Sequence, residues 1–183
     1  MKNVAIVLGA FLTLFLVSCE GDPGPPGFDG LDGQDGLDGA AFEAAAFEID
    51  VDMDFNTGLN RYEALLQYPS DITLLPDDVV LIYRLEEIDN GLDVWRQLPQ
   101  PFFSDQGLLY YNFDFTQENY GVFLEPEFDA TLVATDLIDA QVFRIVIVPA
   151  DLGTTAKMDK SNLSSVMSSL GITEKDIRKV RMN

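Results

Sequence analysis

Histidine is absent from this chain of 183 residues, and cysteine occurs once, at Cys19. Without histidine there is no Ser-His-Asp or Cys-His nucleophile system, no imidazole metal ligand and no side chain of unperturbed near-neutral pKa. A single cysteine excludes an intramolecular disulfide framework and a thiolate metal cluster. Positive charge is scarce as well. Residues 20–150 contain only Arg61, Arg84, Arg96 and Arg144 against 27 acidic residues. Phosphate recognition needs a positive footprint, so nucleic acid is excluded as a partner. No segment after Val17 approaches the ~18 consecutive apolar residues of a membrane-spanning helix. No glycine-rich phosphate loop lies between a strand and a helix pattern. Paired carboxylates remain, but among 31 acids no motif singles out a pair for hydrolysis. A non-enzymatic protein with no cofactor and no metal centre is expected.

What is present begins at the N-terminus. Lys2 precedes an apolar run, Val4 to Val17, which has the length of a secretory h-region and is short for a stable bilayer span. The run closes with Leu16-Val17-Ser18-Cys19, which resembles the lipobox of bacterial lipoproteins. That resemblance implies a signal peptide over residues 1–18 and a diacylglyceryl group on the thiol of Cys19, which becomes the acylated N-terminus. Two or three acyl chains anchor a soluble domain stably where one does so marginally. The implied partner is therefore membrane lipid, held through Cys19. Glu20 stands where inner-membrane retention in the Gram-negative members usually wants Asp, so the resemblance points to the outer membrane of the cell envelope.

Directly after the cysteine, glycine recurs at every third position from Gly21 to Gly39. The run resembles collagen, in which only glycine fits at the crowded axis of three chains. Only its first two triplets carry proline, and the last four end in Asp29, Asp32, Asp35 and Asp38. Three parallel chains would stack those carboxylates at one level with no cation in the run to pair them. Residues 19–40 are accordingly read as an acylated cysteine followed by an extended spacer, which would reach roughly 60 Å if wholly polyproline-like. The chain is expected to be a monomer, with a trimeric stalk as the alternative. A calcium-organised acidic segment is a further alternative, although the longer glycine-rich nonapeptide of calcium-binding β-rolls is absent here.

Residues 41–183 suffice for one domain. Apolar and acidic residues alternate from Phe47 to Phe55, the signature of a strand. Asp50, Asp52 and Asp54 do not open an EF-hand loop, because Phe55 takes the glycine position and Arg61 the glutamate position. Further strands are expected at Tyr62–Tyr68, Val79–Leu85, Leu92–Leu98, Leu108–Phe115, Tyr120–Glu125, Ala130–Thr135 and Val142–Val148. The hairpin turn falls at Asp89-Asn90-Gly91, and the nearly all-apolar last strand is expected to be central. Eight short strands argue for an antiparallel β-sandwich in a mainly β fold. Helical spacing appears at Leu163, Val166, Met167 and Leu170, with Gly171 as a stop. Thr173 and Asp176 suggest a second cap, flanked by Ile172 and Ile177 as a hydrophobic staple. One or two short C-terminal helices are therefore expected. The last 33 residues hold six of the chain's basic side chains, which could reach the acidic body.

One pattern points to a ligand. Alternation places Trp95 on the polar face with Asp93 and Gln97, and leaves Tyr110 with Asn112 and Asp114. If both strands lie in one sheet, Trp95, Tyr110, Asn112 and Asp114 form an aromatic platform edged by polar groups, suited to a glycan. The pattern equally fits rings covered by the C-terminal helices, or a bulge that flips the register. Taken whole, the chain resembles small collagen-like bacterial lipoproteins, in which a glycine-triplet segment joins an acylated cysteine to a β-rich domain. The resemblance implies no catalytic residue. It leads to the expectation of an envelope lipoprotein displaying a non-enzymatic binding or structural domain, with a glycan or an envelope protein as partner. The alternatives are a glycan-binding module of a polysaccharide-uptake system and a divalent-dependent assembly subunit.

Overall fold

The period-two patterns are realised as strands of two five-stranded sheets, in a computed structural model that describes residues 44–150 and 158–182. The expected signal peptide, Cys19 and the glycine-triplet run lie outside the described residues. The strands are β1 (Ala45–Val51), β2 (Asp54–Asn56), β3 (Arg61–Gln67), β4 (Val79–Asp89), β5 (Leu92–Gln97), β6 (Gln100–Ser104), β7 (Gly107–Phe115), β8 (Asn119–Pro126), β9 (Gln141–Val148) and β10 (Arg178–Met182). The first sheet runs β10-β1-β9-β4-β5 and the second β2-β3-β8-β7-β6. Neighbours are antiparallel except β1 and β10, which are parallel. The apolar β9 is central, as expected.

The sheets face each other across a core that includes Phe47, Ile82, Phe143 and Ile145 of the first sheet and Leu109, Tyr111, Val122 and Leu124 of the second. Each of these side chains is essentially removed from water. A fully buried side chain of this kind contributes roughly 1.5–3 kcal/mol. The chain changes sheet at Asp52-Met53 and at Leu98-Pro99. This divides the alternating run from Phe47 to Phe55, expected as one strand, into β1 and β2. Asp52 leaves the ladder to accept a hydrogen bond from the Ala140 amide at 2.7 Å, and the Met53 amide donates to the Ile138 carbonyl.

One helix, α1 (Leu163–Leu170), is present among the described residues. Asn162 caps it by accepting from the Ser165 amide at 3.0 Å, and Gly171 ends it with φ of 70°, a left-handed conformation that favours glycine. Its Leu163, Val166 and Met167 cover Leu81, Tyr83, Val146 and Val148 on the outer face of the first sheet. The central strand β9 and the first half of β4 are therefore buried on both faces. The second expected helix is instead a turn in which Thr173 donates from its amide and hydroxyl to the Asp176 carboxylate, followed by β10. Ile172 and Ile177 nonetheless both pack into the layer under α1. The expected strand Ala130–Thr135 is also corrected. It forms single 3₁₀ turns at Ala130–Leu132 and Thr135–Leu137, because Asp129 accepts from the Thr131 amide and starts a turn. Val133, Leu137 and Ile138 then point into the core.

The basic C-terminal residues do reach the acidic body: Arg178 pairs with Asp71 and Lys179 with Glu48, both at 2.9 Å. Beside them, Arg144 of β9 is only 1% exposed. It bonds Glu48 at 2.9 Å and Glu174 at 2.7 Å, with its guanidinium 4.3 Å from the Trp95 ring centre. Burial would raise the pKa of Glu48. Hydrogen bonds from Lys179 and Arg144, together with their charges, outweigh burial and hold it below the ordinary 4.5.

Candidate functional site

The two faces of the second sheet differ. Its inward residues, such as Ala64, Val122, Leu124, Leu109 and Tyr111, fill the core, so strand alternation sends their neighbours outward. Across β3, β8 and β7 the register aligns Glu63 with Phe123 and Asn112, and Leu65 with Gly121 and Asp114. The α1 layer lies on the other sheet, and among the described residues no helix packs on this face.

Its middle is a built polar network. Phe123 is 4% exposed although it points outward. Its ring lies over Gly121, where an added Cβ would stand 2.6 Å from the ring tip. Glycine at 121 thus makes room for the ring. The Arg61 guanidinium covers Phe123 at 3.9 Å from the ring centre, a cation–π contact. Arg61 also bonds Glu63 at 2.8 Å and Glu125 at 3.3 Å. The other Glu63 oxygen accepts from Asn56 at 2.8 Å, and the other Glu125 oxygen accepts from Asn112 at 3.2 Å. Glu63 Oε2 meets both Nε and Nη2 of Arg61, whereas the other three carboxylate oxygens each hold one network hydrogen bond and keep further acceptor capacity. The Asn56 hydrogen bond, with the Arg61 hydrogen bond and charge behind it, keeps the Glu63 pKa below 4.5 against a smaller opposing effect of burial.

Beside the network runs an apolar rim. On the edge strand β6, Pro101 stands opposite Tyr110, and Phe103, 78% exposed, stands opposite Leu108. Directly opposite residues of an antiparallel pair share a face, so all four are outward. Proline is tolerated at this edge because its missing donor is not needed there.

Compared with known proteins, the chain matches no family model, no curated protein and no solved structure.

Tyr110, Asn112 and Asp114 occupy this outer face, as the alternation predicts. Trp95 does not join them. It belongs to β5 of the first sheet, and it packs with Arg144 in the layer under α1. The expected platform of Trp95 and Tyr110 therefore does not form. A β-bulge in β4 between Leu85 and Glu87 shifts the register opposite Trp95, and the chain passes to the other sheet before β6 and β7 begin. Arg61, Glu63, Glu125 and Phe103 were not singled out by the sequence. Arg61 carried a signal, as one of four basic residues in a long acidic stretch. Phe103 carried none, since Pro101 argues against a strand until the edge position is known.

A depression of about 870 Å³ opens where the described residues begin, with Ala45, Ile72, Leu75 and Leu170 in its wall. Its Asp71 and Arg178 are paired with each other, so it offers no free charged group from that pair. Among the described residues no group of three or more histidine, cysteine, aspartate or glutamate side chains is arranged to hold a metal ion. Nor is any described helix long and apolar enough to cross a membrane.

Proposed function

We propose that the chain is a lipid-anchored protein of the cell envelope that displays its β-sandwich on an extended spacer, and that the outer face of the second sheet is its binding surface. The anchor rests on Leu16-Val17-Ser18-Cys19 following an apolar run of secretory length. The binding role rests on one observation. A sheet face left uncovered among the described residues carries carboxylates whose every oxygen is already positioned by Arg61, Asn56 or Asn112. Side chains fixed before a ligand arrives lose little conformational freedom when it binds. In this reading the role is non-enzymatic, and the network serves to hold acceptors in place for a ligand.

The anchor is tested by feeding cells that express the full chain with labelled palmitate. The label should enter the wild-type protein and follow it into the membrane fraction, and Cys19→Ala should remain unlabelled. Equal labelling of both proteins, or of neither, rules out the lipid attachment.

A further inference from the structure

We infer that the rim of Tyr110, Phe103 and Pro101, together with the Glu63–Arg61–Glu125–Asn112 chain beside it, is a stacking and hydrogen-bonding site for a neutral oligosaccharide. The inference rests on the reading of this face as the binding surface and names what the surface takes.

Three features of the face select this ligand class. The first is the rim. Phe103 is 78% exposed and faces the same way as Pro101 and Tyr110, so apolar rings stand in water at the edge of a sheet. Phe103 and Tyr110 are diagonal neighbours on adjacent strands, a separation of roughly 7–8 Å. Two rings so spaced can meet the apolar faces of successive sugar units. The second is the acceptor array. Glu63 and Glu125 are held by Arg61, Asn56 and Asn112, and the more exposed Glu125 keeps acceptor capacity suited to donors such as hydroxyl groups. The third is charge. The one cation of this network, Arg61, is shared between two carboxylates, and Asp114 adds another negative group to the face. An acidic polysaccharide would meet repulsion here, with no free cation on this face among the described residues to offset it.

The same features weigh against a protein partner. The centre of a protein interface is depleted of charge, and desolvating carboxylates there is costly unless new partners are supplied. A sugar supplies hydroxyls in place of water at each acceptor, and covers the rim with its apolar face.

The test uses the full-length lipoprotein in detergent and isothermal titration calorimetry. The probes are neutral cello-, xylo-, malto- and manno-oligosaccharides, polygalacturonate as an acidic glycan, and polylysine as a cationic peptide. At least one neutral oligosaccharide should bind, with an affinity that does not change from low to high sodium chloride. Tyr110→Ala and Phe103→Ser should each weaken it about tenfold. Ile88→Ser, an exposed apolar position on the β4–β5 hairpin of the other sheet, should leave it unchanged. Absence of binding by every neutral probe overturns the inference. So does binding of polylysine alone, abolished by salt and by Glu125→Gln, although that result would keep this face as a binding surface. Binding of any probe that is indifferent to the Tyr110, Phe103 and Glu125 variants overturns the inference and the choice of face together.

Discussion

Arg144 carries a permanent charge into the layer between the first sheet and α1, where its side chain is 1% exposed. Two carboxylates, Glu48 and Glu174, and the Trp95 ring surround it. The partners are not equivalent, because Glu48 is nearly buried while Glu174 is 70% exposed. Among the described residues, removing the arginine would leave Glu48 with Lys179 as its one charged partner. Arg144→Ala should therefore destabilise the full chain by about 3 kcal/mol in urea unfolding. Glu174→Gln should cost less than about 1 kcal/mol, since solvent already screens that pair. A comparable loss in both variants would show that the exposed carboxylate matters as much as the buried one. The sequence carried a trace of this cluster, a lone arginine in the apolar run Val142–Val148. It could not show that Glu48, some hundred residues earlier, would stand opposite in the antiparallel register.

Elements whose signals are local were legible. The α1 helix follows from its apolar spacing, the Asn162 cap and the Gly171 stop, and the hairpin follows from Asn90-Gly91, both of which have positive φ. Asn162→Ala should lower stability by about 1 kcal/mol, read as a fall in melting temperature of a few degrees. An unchanged melting temperature would mean that the cap adds nothing to docking of α1 on the first sheet. Elements that exist through their partners were not legible. The sequence Arg178-Lys179-Val180-Arg181-Met182 is mostly basic, and it becomes β10 because β1 offers it a parallel ladder. Proline at position 101 hid β6, which the edge of the second sheet tolerates. Ala130–Thr135 misled in the other direction, because a side-chain cap at Asp129 competes with extended pairing.

At the scale of the whole molecule, charge is the dominant fact. The chain has a formal net charge of −20 at pH 7, and the described cations are largely engaged with nearby carboxylates, as at Arg61, Arg96, Arg144, Arg178 and Lys179. Self-repulsion among the remaining acids opposes compaction. Raising sodium chloride from about 10 mM to about 150 mM shortens the Debye length from ~30 Å to ~8 Å. The melting temperature should rise over that range, and a fall would show that the ion pairs outweigh the repulsion. The sequence by itself determined this charge, the mainly β class, the apolar cores of the strands and the α1 helix, because each depends on composition or on neighbours within a few residues. Only the tertiary structure decided that Trp95 is covered while Tyr110 is outward, that Phe103 joins Tyr110, and that Arg61 is tied to Glu63 and Glu125. Those outcomes depend on which sheet each strand enters and in what register. Period two specifies alternation along a strand but not the partner across it, and the partners here lie up to tens of residues away in the chain.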